Sequence, residues 1–248
     1  MTSTDDAAFA SATTVPPGEA PAPVAAGWDD PEYQQGVIEL LGVLAYGELS
    51  AFERLSDDAA LAPTLTDKAS VAAMAVAECG HFRPLRDRRV ELGADPEEAM
   101  APFVAALDAF HESTAPADWL EGLVKAYVGD GFAADFYREI AVHLDPSTRD
   151  LVLGVFADTG HSEFAVEQVR AAIAANPRVA GRLALWGRRL AGEALIQAQY
   201  VAAEHDVLAG LLIGGPGRPG VDLAQIAAVF NQLTTEHSRR MASLGLAS

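Results

Sequence analysis

The stretch Glu78-Cys79-Gly80-His81 decides the predicted fold, because it lies inside a run of residues with helical periodicity. Positions three residues apart share one face of a helix, so Glu78 and His81 present a carboxylate and an imidazole side by side. Together these donors suit iron or manganese. One such pair arises often by chance, but the stretch Asp158-Thr159-Gly160-His161 repeats the spacing. The repetition favours metal binding.

Each of these steps is preceded by a further acid on a predicted helix. Glu48 interrupts an apolar stripe in a helix predicted over residues 31–55, and Asp130 does so in a helix predicted over residues 118–144. We select Asp130 rather than Asp135 as the inward acid. Asp135 shares an arc of the helical wheel with Glu121, Lys125 and Glu139, and that arc is expected to face solvent. A buried charge is costly unless it is satisfied. Either a metal site or a buried hydrogen-bond network without metal would satisfy these groups.

The hydrophobic periodicity predicts an all-α protein, and no segment has a convincing strand pattern. Two pairs of antiparallel helices, each carrying one acid and one acid-x-x-His step, would form a four-helix bundle around two metals. The prediction adds a crossover helix over residues 97–111 and two additional C-terminal helices. The remaining predicted helices span residues 66–92, 145–175, 178–212 and 223–244. Residues 1–31, rich in alanine, proline and threonine, are predicted to be a disordered tail, and residues 32–248 the helical domain.

Four stretches carry a resemblance to a known group of proteins: Ala45-Tyr46-Gly47-Glu48, the two acid-x-x-His steps, and the segment from Gly129-Asp130 to Asp135-Phe136. Over roughly residues 32–213, the sequence resembles the ferritin-like superfamily of di-iron carboxylate proteins. More narrowly, it is similar to actinobacterial relatives of the tRNA hydroxylase that acts on 2-methylthio-isopentenyl-adenosine. The family has Glu where this chain has Asp130 and Asp158, and the shorter acids would hold a second metal more loosely. The resemblance implies two iron ions, with manganese as the alternative, bound by Glu48, Glu78, His81, Asp130, Asp158 and His161.

The resemblance implies a non-haem di-iron oxygenase of the hydroxylase type. Such a protein uses O2 and an electron donor to hydroxylate an organic substrate, which in the relatives is a modified nucleoside of tRNA. The chemistry would belong to the metal centre, with no catalytic residue beyond its ligands. One alternative is an iron-oxidising or peroxide-reducing ferritin-like protein, and another is a metal-free helical interaction protein on the same scaffold. An oxygenase predicts a deep pocket beside the metals, whereas an iron oxidase predicts a small, closed site.

The composition limits the partners. A net charge of −18 disfavours general binding to nucleic acid, including tRNA. The single cysteine, Cys79, excludes an internal disulfide framework, and no apolar run is long enough for a membrane span. We therefore expect a cytoplasmic protein with no membrane partner, and a homodimer is compatible with the sequence. Two arginine runs, one at residues 83–89 and one at residues 178–189, would form an anionic docking site if they met, but pairing with the chain's own acids is favoured.

Overall fold

The computed structural model describes residues 29–156, 161–214 and 221–248, so residues 1–28 of the predicted tail lie outside the described residues. In the described part of the chain there are nine α-helices, one short 3-10 turn at Ala59–Leu61, and no strand. None of these helices is long and apolar enough to cross a membrane. The helices are α1 (Pro31–Asp58), α2 (Leu65–Glu91), α3 (Pro96–Ser113), α4 (Trp119–Ala141), α5 (Pro146–Val155), α6 (His161–Ala175), α7 (Val179–Glu204), α8 (Asp206–Ile213) and α9 (Leu223–Ser243).

Three helices begin at the same local signal, an aspartate followed by proline. Asp30, Asp95 and Asp145 cap α1, α3 and α5, and each carboxylate accepts a hydrogen bond from a backbone N–H of the first turn. Asp30, for example, accepts from the N–H of Glu32 at 3.0 Å. The proline that follows has a backbone angle suited to a helix and lacks the N–H that would otherwise be unsatisfied. These helix starts are therefore fixed by local sequence.

The bundle is built from α1 and α2, which form one hairpin, and from α4 with the successive helices α5 and α6. The crossover helix α3 packs along α1, and their approach is close at Gly42, where an added Cβ would lie 2.1 Å from the carbonyl oxygen of Ala99. Helices α7 and α9 pack on α4, and α8 packs on α1. This architecture confirms the predicted all-α bundle with a crossover helix and further C-terminal helices.

Two long predicted helices are divided in the structure. The helix predicted over residues 145–175 is interrupted, because α5 ends at Val155 and Phe156 lies in a turn, and residues 157–160 are outside the described residues. The helix predicted over residues 178–212 ends at His205, which leaves the helical backbone region at φ −129° and ψ 74°. The His205 ring lies 4.4 Å from the ring of Phe103, and its Nδ1 lies 3.8 Å from Glu39. These tertiary contacts, which helical periodicity does not reveal, hold His205 at the break.

Two apolar cores stack along the bundle. On α1 the first core ends at Ala45 and the second begins at Leu55. On α2 the order is reversed, since Ala75 belongs to the second core and Leu85 to the first, as expected for antiparallel helices. A layer that contains polar side chains is left between the cores, and the predicted metal ligands of α1 and α2 lie in this layer.

Candidate metal centre

Three predicted ligands converge between α1 and α2. Nδ1 of His81 lies 3.2 Å from Oε2 of Glu48 and 3.5 Å from Oε2 of Glu78. One donor atom from each of the three residues lies within 4.8 Å of the others. Glu48 and Glu78 are buried, with exposed fractions of 5% and 9%. We call Glu48, Glu78 and His81 the triad.

The protonation of the triad reflects two buried acids close to one base. Burial raises the pKa of Glu78 to about 7, and its hydrogen bond with Glu48 also raises it. Hydrogen bonds to Glu48 and Glu78 raise the pKa of His81 to about 10, since both carboxylates favour the imidazolium. In the absence of a metal, a proton on His81 therefore balances part of the acidic charge. A bound cation would take over this role and displace the proton.

Asp130 on α4 lies within electrostatic range of the triad. Burial raises the pKa of Asp130 well above its usual range, and the charge of Glu78 raises it further. By its accessible surface Asp130 is an exposed residue, and it lines the cavity described below. Asp135 lines the same cavity with a side chain that is 14% exposed, so the choice of Asp130 over Asp135 as the inward acid stays a prediction.

The remaining two predicted ligands cannot be placed against the triad. Asp158 lies among residues 157–160, outside the described residues. His161 is the first residue of α6, and only its backbone is described. The following residue, Ser162, lines the same cavity as the triad. The roles of Asp158 and His161 as ligands thus stay predictions.

The cavity has a volume of about 540 Å³, and the triad and Asp130 form part of its wall. Its lining on α1 extends from Leu40 to Asp58, which is roughly 27 Å of helix at about 1.5 Å per residue. The cavity is therefore elongated along the bundle. Near the Leu40 end its wall is apolar and includes Val43 of α1 and Leu208 and Leu212 of α8.

The face of α4 that we expected to face solvent is covered by protein, so this expectation is wrong. Glu121 and Lys125 are only 8% and 7% exposed. Asp135 is half-buried and forms ion pairs with Arg240 of α9 at 2.5 Å and with Arg138 at 3.0 Å. Helices α7 and α9 pack on α4, and a helical wheel for α4 alone does not predict them. Asp135 also borders the cavity, but its charge is satisfied by arginine.

Sequence patterns alone did not assign a role to Tyr137, which also lines the cavity. Burial and the charge of Glu48 raise the pKa of Tyr137, so its hydroxyl stays protonated beside the triad. The position of Tyr137 on the apolar face of α4, which also carries Asp130, was the sequence signal that could have placed it near the site. Tyr46, which is adjacent to the acids in the sequence, instead donates to Asp108 of α3 at 2.8 Å.

The two arginine runs are largely occupied by contacts within the chain. Arg86, Arg88 and Arg182 form ion pairs with neighbouring acids. Arg89, Arg188 and Arg189 donate to backbone carbonyl oxygens. Pairing within the chain is therefore the better interpretation of these runs.

Comparison with known proteins places this architecture in a family. A family model for ferritin-like domains of actinomycetes matches residues 31–215, which is more than half of the chain. The chain belongs to this ferritin-like family. No curated protein matches the sequence. The match covers α1 to α8, including the triad and Asp130, and it leaves α9 outside.

Among solved structures, this ferritin-like protein is similar to a protein from Synechococcus described as having aldehyde deformylating oxidase activity. The TM-score is 0.64 at 21% sequence identity, and the match covers 88% of this chain and 93% of the other. At that identity the likeness shows a shared fold, which confirms the predicted ferritin-like class. It does not test the narrower likeness to relatives of the tRNA hydroxylase.

The described residues of this ferritin-like protein fit a metal ion. The triad offers two carboxylate oxygens and one imidazole nitrogen, a donor set compatible with iron. Both acids are buried, so a bound cation stabilises their charges more than it would stabilise those of exposed acids. Hydrogen bonds to Glu48 and Glu78 raise the pKa of His81, as expected where two carboxylates favour positive charge.

Proposed function

We propose that this ferritin-like protein is a non-haem di-iron oxygenase that hydroxylates a C–H bond of an organic molecule held in the bundle. The observation that carries the proposal is the cavity of about 540 Å³ with the triad in its wall. Small-molecule sites typically measure roughly 300–1,000 Å³. A protein that only oxidises iron or reduces peroxide needs no cavity of this length beside its metals.

In the proposed reaction, a C–H bond, O2, two electrons and two protons yield an alcohol and one water. The electrons come from an external electron donor. Iron supplies the activation of O2. Glu48, Glu78 and His81 hold the metal, joined in this proposal by Asp130, Asp158 and His161. The apolar walls around Leu44 and Phe132 exclude water and orient the C–H bond.

The substrate class follows from the charge of the protein. Relatives of the tRNA hydroxylase would act on a nucleoside within a polyanion, but a net charge of −18 gives no general attraction to RNA. The arginine runs are largely occupied within the chain, as described above. We therefore propose a small organic molecule rather than tRNA as substrate, and activity on prenylated tRNA at ordinary salt would contradict this part of the proposal.

Metal analysis after anaerobic loading with Fe(II) tests the proposed centre. We expect about two irons per chain, as in other bundles with paired carboxylate–His steps. Glu78→Ala should abolish iron binding, because it removes a carboxylate of the triad. Asp135→Ala is the matched control, because Asp135 is an acid on the cavity wall whose charge is paired with Arg240 and Arg138. It should retain iron.

Oxygen consumption by the loaded protein separates the alternatives. An oxygenase should consume O2 repeatedly when an electron donor and an organic substrate are both present. Consumption of O2 only in proportion to the Fe(II) added, with no dependence on an organic molecule, would instead support an iron oxidase. Absence of bound iron at any loading would support a metal-free interaction protein and refute the proposal.

A further inference from the structure

A second polar group lies in the same cavity as the triad, closer to the C-terminal end of α1. It comprises Arg54 of α1 and Lys125 of α4, with Ser50 and His111 beside them, and all four line the cavity. We call this group the cationic pole. The side chain of Asp58 lies within 3.3 Å of a Cβ placed on Gly122, so the end of α1 meets the beginning of α4 here. The members of the pole therefore come together from three helices, α1, α3 and α4.

Lys125 is a buried cation without a hydrogen-bonding partner in the described part of the chain. The residue is 7% exposed, and its Nζ makes no hydrogen bond to any of the described residues. The ammonium lies 5.7 Å from the centre of the Phe110 ring, which gives it one favourable contact. Burial lowers the pKa of Lys125 to about 8. Lys125 lines the cavity while its ammonium is buried and has no hydrogen-bonding partner among the described residues, which is costly, and an anionic ligand that reached it would remove that cost.

The other charges around Lys125 come from Arg54 and from the acids Asp58 and Asp108. Nε of Arg54 is buried and has no hydrogen-bonding partner among the described residues. Asp58 is the acid in electrostatic range of both Arg54 and Lys125. Asp108, the acid near His111, accepts a hydrogen bond from Tyr46. A hydrogen bond from a neutral phenol leaves Asp108 charged, so two cations and two acids meet at the pole, and the ammonium of Lys125 is the cation without a hydrogen-bonding partner among the described residues.

His111 adds a neutral hydrogen-bonding group to the pole. Burial lowers the pKa of His111 to about 3, so its ring is neutral at ordinary pH. The hydroxyl of Ser50 donates to the carbonyl oxygen of Gly47 at 3.0 Å. Nε2 of His111 lies 3.1 Å from the same hydroxyl oxygen, and the tautomer of the ring decides which of the two donates. Nδ1 of His111 has no partner among the described residues.

The spacing along the helices places the pole to one side of the triad. Arg54 lies six positions after Glu48 on α1, or about 9 Å along the axis, and Lys125 lies five positions before Asp130 on α4, or about 7.5 Å. On the other side of the triad the cavity continues to the apolar end near Leu40 and Leu212. The triad is therefore between a cationic end and an apolar end.

We propose that the cationic pole binds the carboxylate of an amphipathic organic acid, whose apolar chain runs along the cavity past the triad. The buried acids at the triad repel a carboxylate, and Lys125 and Arg54 attract it, so the charges fix the direction of the chain. The C–H bond presented to the metal centre then lies within the chain rather than at the carboxylate. This assignment names a substrate class for the function proposed above and rests on it, although binding of the acid does not require the metal.

Calorimetric titration of the full chain with dodecanoate and with 1-dodecanol tests the proposal. We expect dodecanoate to bind more tightly than the alcohol of equal chain length. Lys125→Met should weaken dodecanoate binding by about tenfold to a hundredfold, the usual effect of losing a charged hydrogen bond, and leave dodecanol binding unchanged. Lys68→Met is the matched control, since Lys68 is the other lysine of the chain and is exposed on α2. Equal binding of dodecanoate by the wild type and Lys125→Met would overturn the proposal.

Two further variants, titrated in the same way, make the outcome of the experiment unambiguous. Arg54→Met should also weaken dodecanoate binding, which guards against a folding defect specific to Lys125→Met. Glu78→Ala, which lacks a triad carboxylate, should retain it. Loss of dodecanoate binding in Glu78→Ala would place the carboxylate at the metal centre and overturn the proposal. A wild type that binds no iron would refute the proposed oxygenase. The proposed anion site would still be supported if the wild type and Glu78→Ala both bind dodecanoate and the binding depends on Lys125.

A spectroscopic measurement on the unaltered protein supports the same decision. Because the chain contains only Lys68 and Lys125, labelling with ¹³C-lysine gives two Cε signals, and Lys68→Met assigns them. Addition of dodecanoate should raise the titration midpoint of the Lys125 signal from about 8 and leave that of Lys68 unchanged. Unchanged midpoints for both lysines under saturating dodecanoate would contradict a carboxylate at the pole.

Discussion

Lys125→Met should make the stability of this protein less dependent on pH, because Lys125 is protonated less readily in the folded chain than in the unfolded chain. Burial lowers the pKa of Lys125 from 10.5 to about 8. Between these values the unfolded chain binds a proton that the folded chain does not, so the contribution of Lys125 to the unfolding free energy rises with pH. Below pH 8 both states are protonated, and the full cost of the buried charge is present.

The magnitude follows from the size of the pKa shift. A shift of this size corresponds to roughly 3 kcal/mol, at about 1.4 kcal/mol for each pKa unit. About 2 kcal/mol of this change falls between pH 7 and pH 10, where the unfolded lysine is still mostly protonated. Replacement by methionine removes the charge and keeps an apolar chain of similar length. The advantage of the variant over the wild type should therefore be about 2 kcal/mol larger at pH 7 than at pH 10.

Urea unfolding of both proteins across this pH range measures the effect. The difference between variant and wild type cancels the groups that titrate alike in both proteins, such as His81. Lys68→Met, at an exposed lysine, should show a difference that does not change between pH 7 and pH 10. A difference for Lys125→Met that is equally independent of pH would refute the argument that Lys125 is a desolvated ammonium.

Metal affinity should fall as pH falls, because His81 must release a proton to become a ligand and Glu78 also binds a proton below about pH 7. Calorimetry with Mn(II) in buffers of different ionisation enthalpy should detect protons released on binding, and more of them below pH 7 than at pH 8. Gly42→Ala should destabilise the fold by about 2 kcal/mol, because the new Cβ would meet the carbonyl oxygen of Ala99. Gly47→Ala, with nothing within 4 Å of the new Cβ, should stabilise it by up to about 1 kcal/mol in the same denaturant assay. A pH-independent affinity, or equal effects of the two substitutions, would contradict these expectations.

Residues whose surroundings are local were the ones that sequence predicted well. Asp-Pro pairs set helix starts, and the apolar stripes of α1 and α2 placed Glu48, Glu78 and His81 on inward faces that meet in the structure. These inferences needed only the helical period and the high cost of burying an unsatisfied charge. The same reasoning did not separate Asp130 from Asp135, because both line the cavity.

Features that depend on distant elements were missed. Lys125 was assigned to a solvated face because a helical wheel carries no information about α7 and α9, which cover α4. The break at His205 depends on Phe103 and Glu39, which lie far away in the sequence. Charged residues on a helix usually lie on an exposed face, so a buried lysine on a face covered by other helices is an exception. The packing of α7 and α9 on α4 has to be known before this exception can be recognised.

The arrangement of the triad on one helical hairpin has a consequence for how the protein assembles. Glu48 and His81 are 33 positions apart, whereas the ion pair between Asp135 and Arg240 spans 105 positions. Closing the shorter loop costs less chain entropy, so α1 and α2 can pair before α9 is available to dock. During synthesis, all three donors leave the ribosome before α4 does. A cation bound at that stage would stabilise the hairpin of α1 and α2, and the later helices could then pack on a hairpin that is already formed.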